Sequence, residues 1–180
     1  MEYGLIALLV LAIIIVIWII SVSNGLNRSI VKIDEASSGI DVALTKRYDT
    51  LTKMIDVVKG YAKHEKETIF EVINLRKNMS TEEKVEANKK MSSNLQKIYA
   101  LAESYPELKS SENYNTLQKS IADVEEHLQA ARRMYNSNVS IYNQKLVTFP
   151  TSMIANAKGL TKKDFFEAEE TKREDVKIDL

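Results

Sequence analysis

Apolar and polar positions divide the chain into one uninterrupted apolar stretch and a long body in which apolar residues recur at three- and four-residue steps. From Tyr3 to Asn27 no residue is charged, and Leu5 to Ile20 is almost entirely Leu, Ile, Val and Ala. A helix needs about 20 apolar residues to cross the roughly 30 Å hydrocarbon core of a bilayer, where only a helix satisfies its own backbone. We therefore predict a transmembrane helix over about residues 3–22, rather than a core helix, which would need a larger surrounding domain.

The flanks of this stretch favour a retained anchor over a cleaved signal. A secretory signal has a basic n-region and a shorter apolar core, whereas Met1–Glu2 carries no Lys or Arg and Ser21-Val22-Ser23 is a weak cleavage site. Arg28 and Lys32 follow the span, and the flank with more Lys and Arg faces the cytoplasm. The expected orientation therefore has the N-terminus outside and the body in the cytoplasm, although two nearby acidic residues narrow the charge difference.

The body is predicted to contain three long helices. The first starts after Ser23-Asn24-Gly25, the only flexible point expected, and continues to about Asn78 with one buried stripe. Its stripe consists of Ile33, Ile40, Leu44, Leu51, Met54, Val58, Tyr61, Ile69 and Val72. The second covers about Thr81 to Ser104, where Ser80 and Glu83 form a capping box, and Pro106 follows its end. The third starts near Ser111, and its heptad-like stripe consists of Tyr114, Leu117, Ile121, Val124, Leu128, Ala131, Tyr135, Val139, Tyr142, Leu146 and Phe149.

A short fourth helix is predicted from Pro150 to Lys158, with Gly159 as its C-terminal cap. Phe165-Phe166 is a last apolar contact, and the charge-rich residues 167–180 are predicted to be disordered. The predicted fold class is all-α: an N-terminal transmembrane helix followed by an antiparallel bundle of three long helices plus a short fourth helix. The expected divisions are an anchor over residues 1–27, a bundle over 28–166 and a tail over 167–180.

Charge and cysteine content narrow the choice of partner. The anchor contains one acidic residue, so 24 of the 25 acidic residues and all 25 basic residues lie in the body. A nearly neutral body argues against nucleic acid, which requires a net basic face. The absence of cysteine fits either side of a membrane. The expected partners are the membrane and proteins still to be identified, and a homo-oligomer stays open.

Several polar residues interrupt the apolar stripes and form the candidate site. Buried charges need partners because desolvation costs several kcal/mol per ion. We therefore expect the helix-one residues Arg47, Glu65 and Arg76 to pair across the bundle with Glu103, Glu125 or Arg132. These polar residues either fix helix register, line a binding pocket, or are simply exposed. The candidates are Arg47, Glu65, Arg76, Glu103, Glu125, Arg132, Tyr135 and Asn136.

Catalytic chemistry finds little support in the sequence. The two histidines, His64 and His127, do not occur in the Glu-x-x-His spacing of a di-metal carboxylate bundle. No nucleophile elbow or phosphate loop occurs, and only their place on the stripes favours Glu65 and Glu125 as an acid/base pair. We expect no enzyme activity, no cofactor and no metal.

Short motifs spread from the anchor to about Glu167 resemble the LemA family. They are Asp41-x-x-Leu44-x-x-Arg47-Tyr48-Asp49, Tyr61-Ala62-x-His64-Glu65, Arg76, Glu103-x-Tyr105-Pro106-Glu107-Leu108, Leu117, Glu125, Ala131-Arg132-x-x-Tyr135-Asn136, Tyr142-Asn143, Phe149-Pro150, Gly159-Leu160 and Phe165-Phe166-Glu167. The resemblance implies a bacterial cell-membrane protein with one N-terminal span and a bundle of long helices. It implies no catalytic residues. Two functions follow as hypotheses: a membrane-tethered scaffold or adaptor, and a bundle that senses a small anion or metabolite through a polar pocket.

Overall fold

The computed structural model describes residues 2–61, 70–76 and 79–166. Within these ranges the secondary structure is helical, with no strand. The helices are α1 (Glu2–Tyr61), α2 (Thr81–Ser104), α3 (Pro106–Lys109), α4 (Glu112–Val147) and α5 (Thr151–Ala157). The predicted fold class, an all-α bundle behind an N-terminal apolar helix, is confirmed.

Helix α1 combines the apolar stretch and the first body helix in one element of 60 residues. The flexible point predicted at Ser23-Asn24-Gly25 is wrong, since all three residues are helical. The neighbouring Leu26 is completely buried, and the Gly25 carbonyl accepts a hydrogen bond from Ser29 Oγ at 3.0 Å. Burial of Leu26 and Ser29 stabilises this turn and opposes the roughly 1 kcal/mol of helix stability that a glycine costs.

The C-terminal end of α1 also differs from the prediction. The helix ends at Tyr61, directly after Gly60, and residues 70–76 have no regular secondary structure. Val72, predicted on the buried stripe, is therefore exposed. The Asn94 side chain explains this conformation, because its Oδ1 accepts from the Glu71 N–H at 2.8 Å and its Nδ2 donates to the Glu71 carbonyl at 2.9 Å. A side chain here replaces the backbone partners that a helix would have supplied.

The remaining helix ends follow local sequence signals. The predicted capping box is present, with the Ser80 side chain accepting from the Glu83 N–H and the Glu83 carboxylate accepting from the Ser80 N–H. Gly159 follows α5 with φ +64°, the left-handed conformation that glycine adopts without a Cβ clash. On the stripe predicted for the third body helix, Phe149 departs from the pattern: α4 stops at Val147, so Phe149 lies outside the helix and is 76% exposed. The residue before a proline avoids the helical region, which accounts for this early end.

The chain folds as two compact units. The first consists of Met1–Ser37 with Met134–Asp164, and the second consists of Ser38–Arg133 with Phe165–Leu180. The predicted domain boundaries stay predictions, and the predicted disordered tail over residues 167–180 lies outside the described residues.

In the second unit, α1 and α2 run in the same direction. Asp41 pairs with Lys84 at 2.7 Å, and further along both helices Arg47 donates to Ser92 Oγ at 3.1 Å. Residues 70–76, which lie between α1 and α2 in the sequence, run antiparallel to α2, since Glu71 contacts Asn94 and Arg76 contacts Glu83. The core of this unit comes from α1, α2, α3 and α4, and its buried members are Leu51, Met54, Val58, Met91, Ile98, Leu101, Ala102, Leu108, Tyr114 and Ile121.

In the first unit, α4 runs antiparallel to α1. Asn138 Nδ2 donates to the Lys32 carbonyl at 3.1 Å, and two turns later Lys145 Nζ donates to Ser29 Oγ at 2.8 Å. The buried apolar residues of this unit are Leu26, Ile33, Ala36, Tyr135, Val139, Tyr142, Leu146 and Ala155. Among the described residues, α1 is the one helix long and apolar enough to cross a membrane, and the apolar window that qualifies it is not buried by protein.

Replacing the cap residue tests how the second body helix begins. We expect Ser80→Ala to lower the free energy of unfolding by about 1 kcal/mol, because the Glu83 N–H loses its side-chain acceptor. Chemical unfolding of the full chain in detergent micelles, followed by circular dichroism, measures this loss. Ser120→Ala is the matched control, since Ser120 Oγ only bonds back to the Thr116 carbonyl within α4. That control should be neutral or slightly stabilising, and an equal loss in both variants would contradict the capping role.

Candidate functional site

The guanidinium of Arg47 lies at the centre of the second unit. Arg47 occupies the stripe of α1 between Leu44 and Leu51, and it is 3% exposed. Its Nη1 donates to the Asn88 carbonyl at 3.0 Å and also to Asn88 Oδ1, while its Nη2 donates to Ser92 Oγ at 3.1 Å. These contacts tie α1 to α2 and supply neutral partners for a buried cation.

The charge of Arg47 is balanced by Glu125 on α4. Arg47 Nη2 and Glu125 Oε1 form an ion pair, and 34% of the Glu125 side chain stays exposed. Glu125 Oε1 is itself buried and accepts no hydrogen bond within the described residues. Of the predicted cross-bundle pairs, this is the one that the structure brings together among the described residues.

A cleft of about 490 Å³ opens beside this ion pair. It lies between α2 and α4, with Arg47 of α1 as a further wall, and polar amide and hydroxyl groups alternate with apolar side chains. Its lining consists of Arg47, Asn88, Ser92, Leu95, Gln96, Tyr99, Gln118, Ile121, Ala122, Glu125, Gln129 and Arg132. The amides of Gln96, Gln118 and Gln129 supply both donors and acceptors, so the cleft can take a polar molecule of either hydrogen-bonding sense.

The pKa of Tyr99, which lines the cleft, responds to the charges around it. Burial raises the pKa of the Tyr99 phenol, the nearby Glu125 carboxylate raises it further, and Arg47 partly opposes both effects. Burial also raises the pKa of Tyr114, with a smaller contribution from Tyr99. Both phenols therefore stay neutral at physiological pH and offer hydroxyl groups rather than charges.

The family assignment rests on the region that contains this cleft. A family model described as the LemA family matches residues 36–180, which is more than half of the chain. The chain belongs to the LemA family. It is also 32% identical to Protein LemA from Metamycoplasma hominis over an alignment of 158 residues, and the match covers 85% of this chain and 72% of that protein.

A second similarity is more restricted. Over 72 residues the chain is 25% identical to Magnetosome protein MamQ from Magnetospirillum gryphiswaldense, covering 40% of this chain and 26% of that protein. LemA-family membership and the N-terminal apolar helix together make this a membrane-associated helical protein.

Arg132, in the LemA-family motif Ala131-Arg132-x-x-Tyr135-Asn136, lies at one end of the cleft. It is 9% exposed, and its guanidinium carbon lies 4.7 Å from the centre of the Phe166 ring. A cation over an aromatic face is attracted by the ring quadrupole. Phe166 is thereby held against α4. Of the predicted Phe165-Phe166 contact, Phe166 is buried, whereas Phe165 is 45% exposed.

Four of the described candidate residues do not line the cleft: Arg76, Glu103, Tyr135 and Asn136. Arg76 lies in the non-helical segment and pairs with Glu83 at 3.2 Å, with 73% of its side chain exposed. The predicted pairing of Arg76 with Glu103, Glu125 or Arg132 is therefore wrong, because α1 ends before Arg76. Glu103 is exposed near the end of α2. Glu65 lies outside the described residues.

Tyr135 and Asn136 belong to the first unit. Tyr135 Oη donates to the Asp164 carbonyl at 3.1 Å, and one heptad later Tyr142 Oη donates to the Thr161 carbonyl at 3.1 Å. Asn143 forms a two-way pair with the Lys163 backbone, donating from Nδ2 to the carbonyl and accepting at Oδ1 from the N–H, both at 2.9 Å. The side chains of Tyr135, Tyr142 and Asn143 therefore fasten the non-helical residues 161–164 along α4.

α2 buries polar residues that its apolar pattern did not predict. Lys84, Asn88 and Asn94 are all buried, whereas the pattern of this helix predicts burial of apolar residues alone: Val85, Leu95, Ile98, Tyr99 and Ala102. One signal could have identified Lys84: counting back from Ile98 and Met91 in steps of seven reaches it. No group of three or more potential metal ligands occurs in the part of the chain that the structure describes.

Breaking the Arg47–Glu125 pair should destabilise the fold. We expect Arg47→Met to cost about 2 kcal/mol, below the usual cost of breaking a fully buried pair because Glu125 is partly hydrated. The double variant Arg47→Met/Glu125→Gln should lose less than the two single losses together. Arg76→Met removes an exposed pair and should cost less than about 1 kcal/mol. Chemical unfolding measures the unchanged full chain and four variants: Arg47→Met, Glu125→Gln, the double variant and Arg76→Met. Equal losses from Arg47→Met and Arg76→Met would contradict a buried role for the Arg47–Glu125 pair.

Alkaline pH should weaken the fold through the buried phenols. An unfolded tyrosine loses its proton at about pH 10, whereas the folded-state pKa of Tyr99 is higher. The unfolded state therefore loses its proton first, so this stability is present below about pH 10 and is lost as the pH rises further. Tyr99→Phe should show a shallower decrease of unfolding free energy with pH than the unchanged chain. Identical slopes would show that Tyr99 is not protected from ionisation.

Proposed function

We propose that this protein is a single-span, membrane-anchored helical scaffold or adaptor of the bacterial cell envelope, without catalytic activity. The observation that carries the proposal is the construction of the first unit. The apolar span of α1 continues without a break into residues that pack against α4, through Lys32–Asn138 and Ser29–Lys145 contacts. A bundle surface held directly at the end of a span suits the positioning of partner proteins at a membrane.

The charges at the end of the span support a cytoplasmic bundle in the bacterial cell membrane. In sequence, Arg28 and Lys32 are the basic residues next to the span. The fold adds Lys145, whose Nζ reaches Ser29, and Lys158, whose Nζ donates to Ser23 Oγ at 2.9 Å. Basic residues at a membrane boundary favour the cytoplasmic side, so we place the N-terminus outside.

Single cysteines test this orientation, since the chain contains none. We expect Glu126→Cys, on the exposed side of α4, to react with an impermeant maleimide only after cell lysis. Tyr3→Cys, at the other end of the span and 89% exposed, should react in intact cells. Reversed labelling would put the bundle outside, and protection of both positions before lysis would argue against a span.

The cleft beside Arg47 supports a second candidate function, the sensing of a small anion or metabolite. Its volume and its amide lining suit a small polar ligand. The adaptor proposal is favoured because the cation at the cleft is already engaged by Glu125, Asn88 and Ser92. An anion would have to compete with these partners.

Ligand binding and partner contact can be separated by experiment. Binding to the native state raises the melting temperature, so an anion or metabolite that stabilises the full chain but not its Gln118→Ala variant would favour sensing over the adaptor. For the adaptor, photo-reactive residues at Lys89 on α2 and Glu126 on α4 should yield discrete cross-linked proteins from one face and few from the other. Equal, diffuse cross-linking from both faces would contradict a defined docking surface.

A further inference from the structure

The connection between α4 and α5 carries an apolar surface that the bundle does not cover. Val147 is 63% exposed, Phe149 is 76% exposed and Met153 is 61% exposed. Three large apolar side chains within seven residues form what we call the corner surface, consisting of Val147, Phe149 and Met153. An exposed apolar cluster of this kind is typical of an interaction site.

The corner surface lies level with the end of the apolar span. Lys145 Nζ reaches Ser29 Oγ at 2.8 Å and the Gly25 carbonyl at 3.5 Å. Because α4 runs antiparallel to α1 in this unit, the residues after Lys145 approach the level of residues 21–24, where the span is predicted to end. The far end of α5 is at the same level, since Lys158 Nζ donates to Asn27 Oδ1 at 2.8 Å and to Ser23 Oγ at 2.9 Å.

Charge also distinguishes the first unit, which contains the corner surface. No Asp or Glu occurs from Tyr3 to Ile33 or from Met134 to Lys163. The basic residues of these two stretches are Arg28, Lys32, Lys145, Lys158, Lys162 and Lys163. Lys145 and Lys158 reach the end of the span, and the Lys163 backbone pairs with Asn143, two residues before Lys145. Lysines near an apolar surface match the boundary of a bilayer, where apolar groups enter the acyl region and cations meet lipid phosphates.

We propose that the corner surface enters the headgroup boundary of the bilayer that α1 crosses and that the surrounding lysines bind anionic phospholipid. The proposal rests on the membrane anchor of the proposed function and adds a second contact between the bundle and the same membrane. Phe149 and Met153 would leave water for the upper acyl region, while Lys158, Lys162 and Lys163 would face phosphate groups. Two contacts fix the orientation of this unit against the membrane, which a single span does not.

A single tryptophan can report the environment of the corner, because the chain contains only Trp18. In the full chain carrying Trp18→Phe and Phe149→Trp, reconstituted in phospholipid vesicles, we expect quenching by lipids brominated in the upper acyl chain and protection from aqueous iodide. The matched control is Trp18→Phe with Met134→Trp. Met134 is 64% exposed on α4, the helix that leads into the corner surface. It lies about 20 Å before the C-terminal end of α4 along the helix axis. This control should be quenched by iodide, with a quenching constant several-fold above that at position 149.

The outcomes separate the proposal from its alternatives. Equal iodide quenching at positions 134 and 149 would overturn the lipid contact, although the anchor would stand if the protein still floats with the vesicles. Failure to float would refute the anchor itself. Protection from iodide without quenching by brominated lipid would show a protein occupant, such as a second copy, and would also overturn the proposal.

A charge variant tests the lipid class. Lys162→Gln/Lys163→Gln changes exposed side chains, and the backbone contacts of Lys163 with Asn143 do not require its ammonium group. In vesicles containing phosphatidylglycerol, the reporter at position 149 should be better protected from iodide than in phosphatidylcholine alone. The double variant should lose this difference, and an unchanged difference would contradict recognition of anionic lipid by these lysines.

Discussion

Burial of the Arg47 guanidinium is the constraint on which the second unit depends. A cation in an apolar interior costs several kcal/mol unless partners surround it. Here Asn88 and Ser92 of α2 supply oxygen acceptors, and Glu125 of α4 supplies the opposite charge. One side chain therefore sets the relative positions of three helices. The cleft opens beside these partners, between α2 and α4.

Asparagine side chains supply hydrogen-bond partners to the backbone of segments that are not helical. Asn94 and Asn143 each lie on a long helix and form a two-way pair with the backbone of another residue, Glu71 in one case and Lys163 in the other. An amide presents a donor and an acceptor side by side, as a neighbouring β-strand does. A helix surface can in this way hold extended chain with its backbone groups satisfied. Through these two amides, α2 holds the segment that contains Glu71 and α4 holds the segment that contains Lys163.

The two units differ in the kinds of residue that they bury and expose. The second unit buries charge and amide groups among its apolar core residues, which favours one helix register over alternatives. The first unit contains the apolar span and collects lysines at the boundary where that span ends. A membrane-associated member of the LemA family that acts as an adaptor would use both properties, a surface of defined register and a defined place at the bilayer.

The sequence by itself determined the helical class, the apolar span, the capping box at Ser80, the glycine cap at Gly159 and the buried stripe of α4 up to Leu146. These features depend on local periodicity and on backbone groups a few residues apart. Only the tertiary structure decided that α1 ends at Tyr61, that α2 runs parallel to it, and that Asn88 and Ser92 rather than Arg76 complete the Arg47 site. A helix pattern gives the face of each residue but not the neighbour it meets, and a buried amide looks the same in sequence as an exposed one. The partners of Arg47 therefore depended on contacts between segments that are distant in the chain.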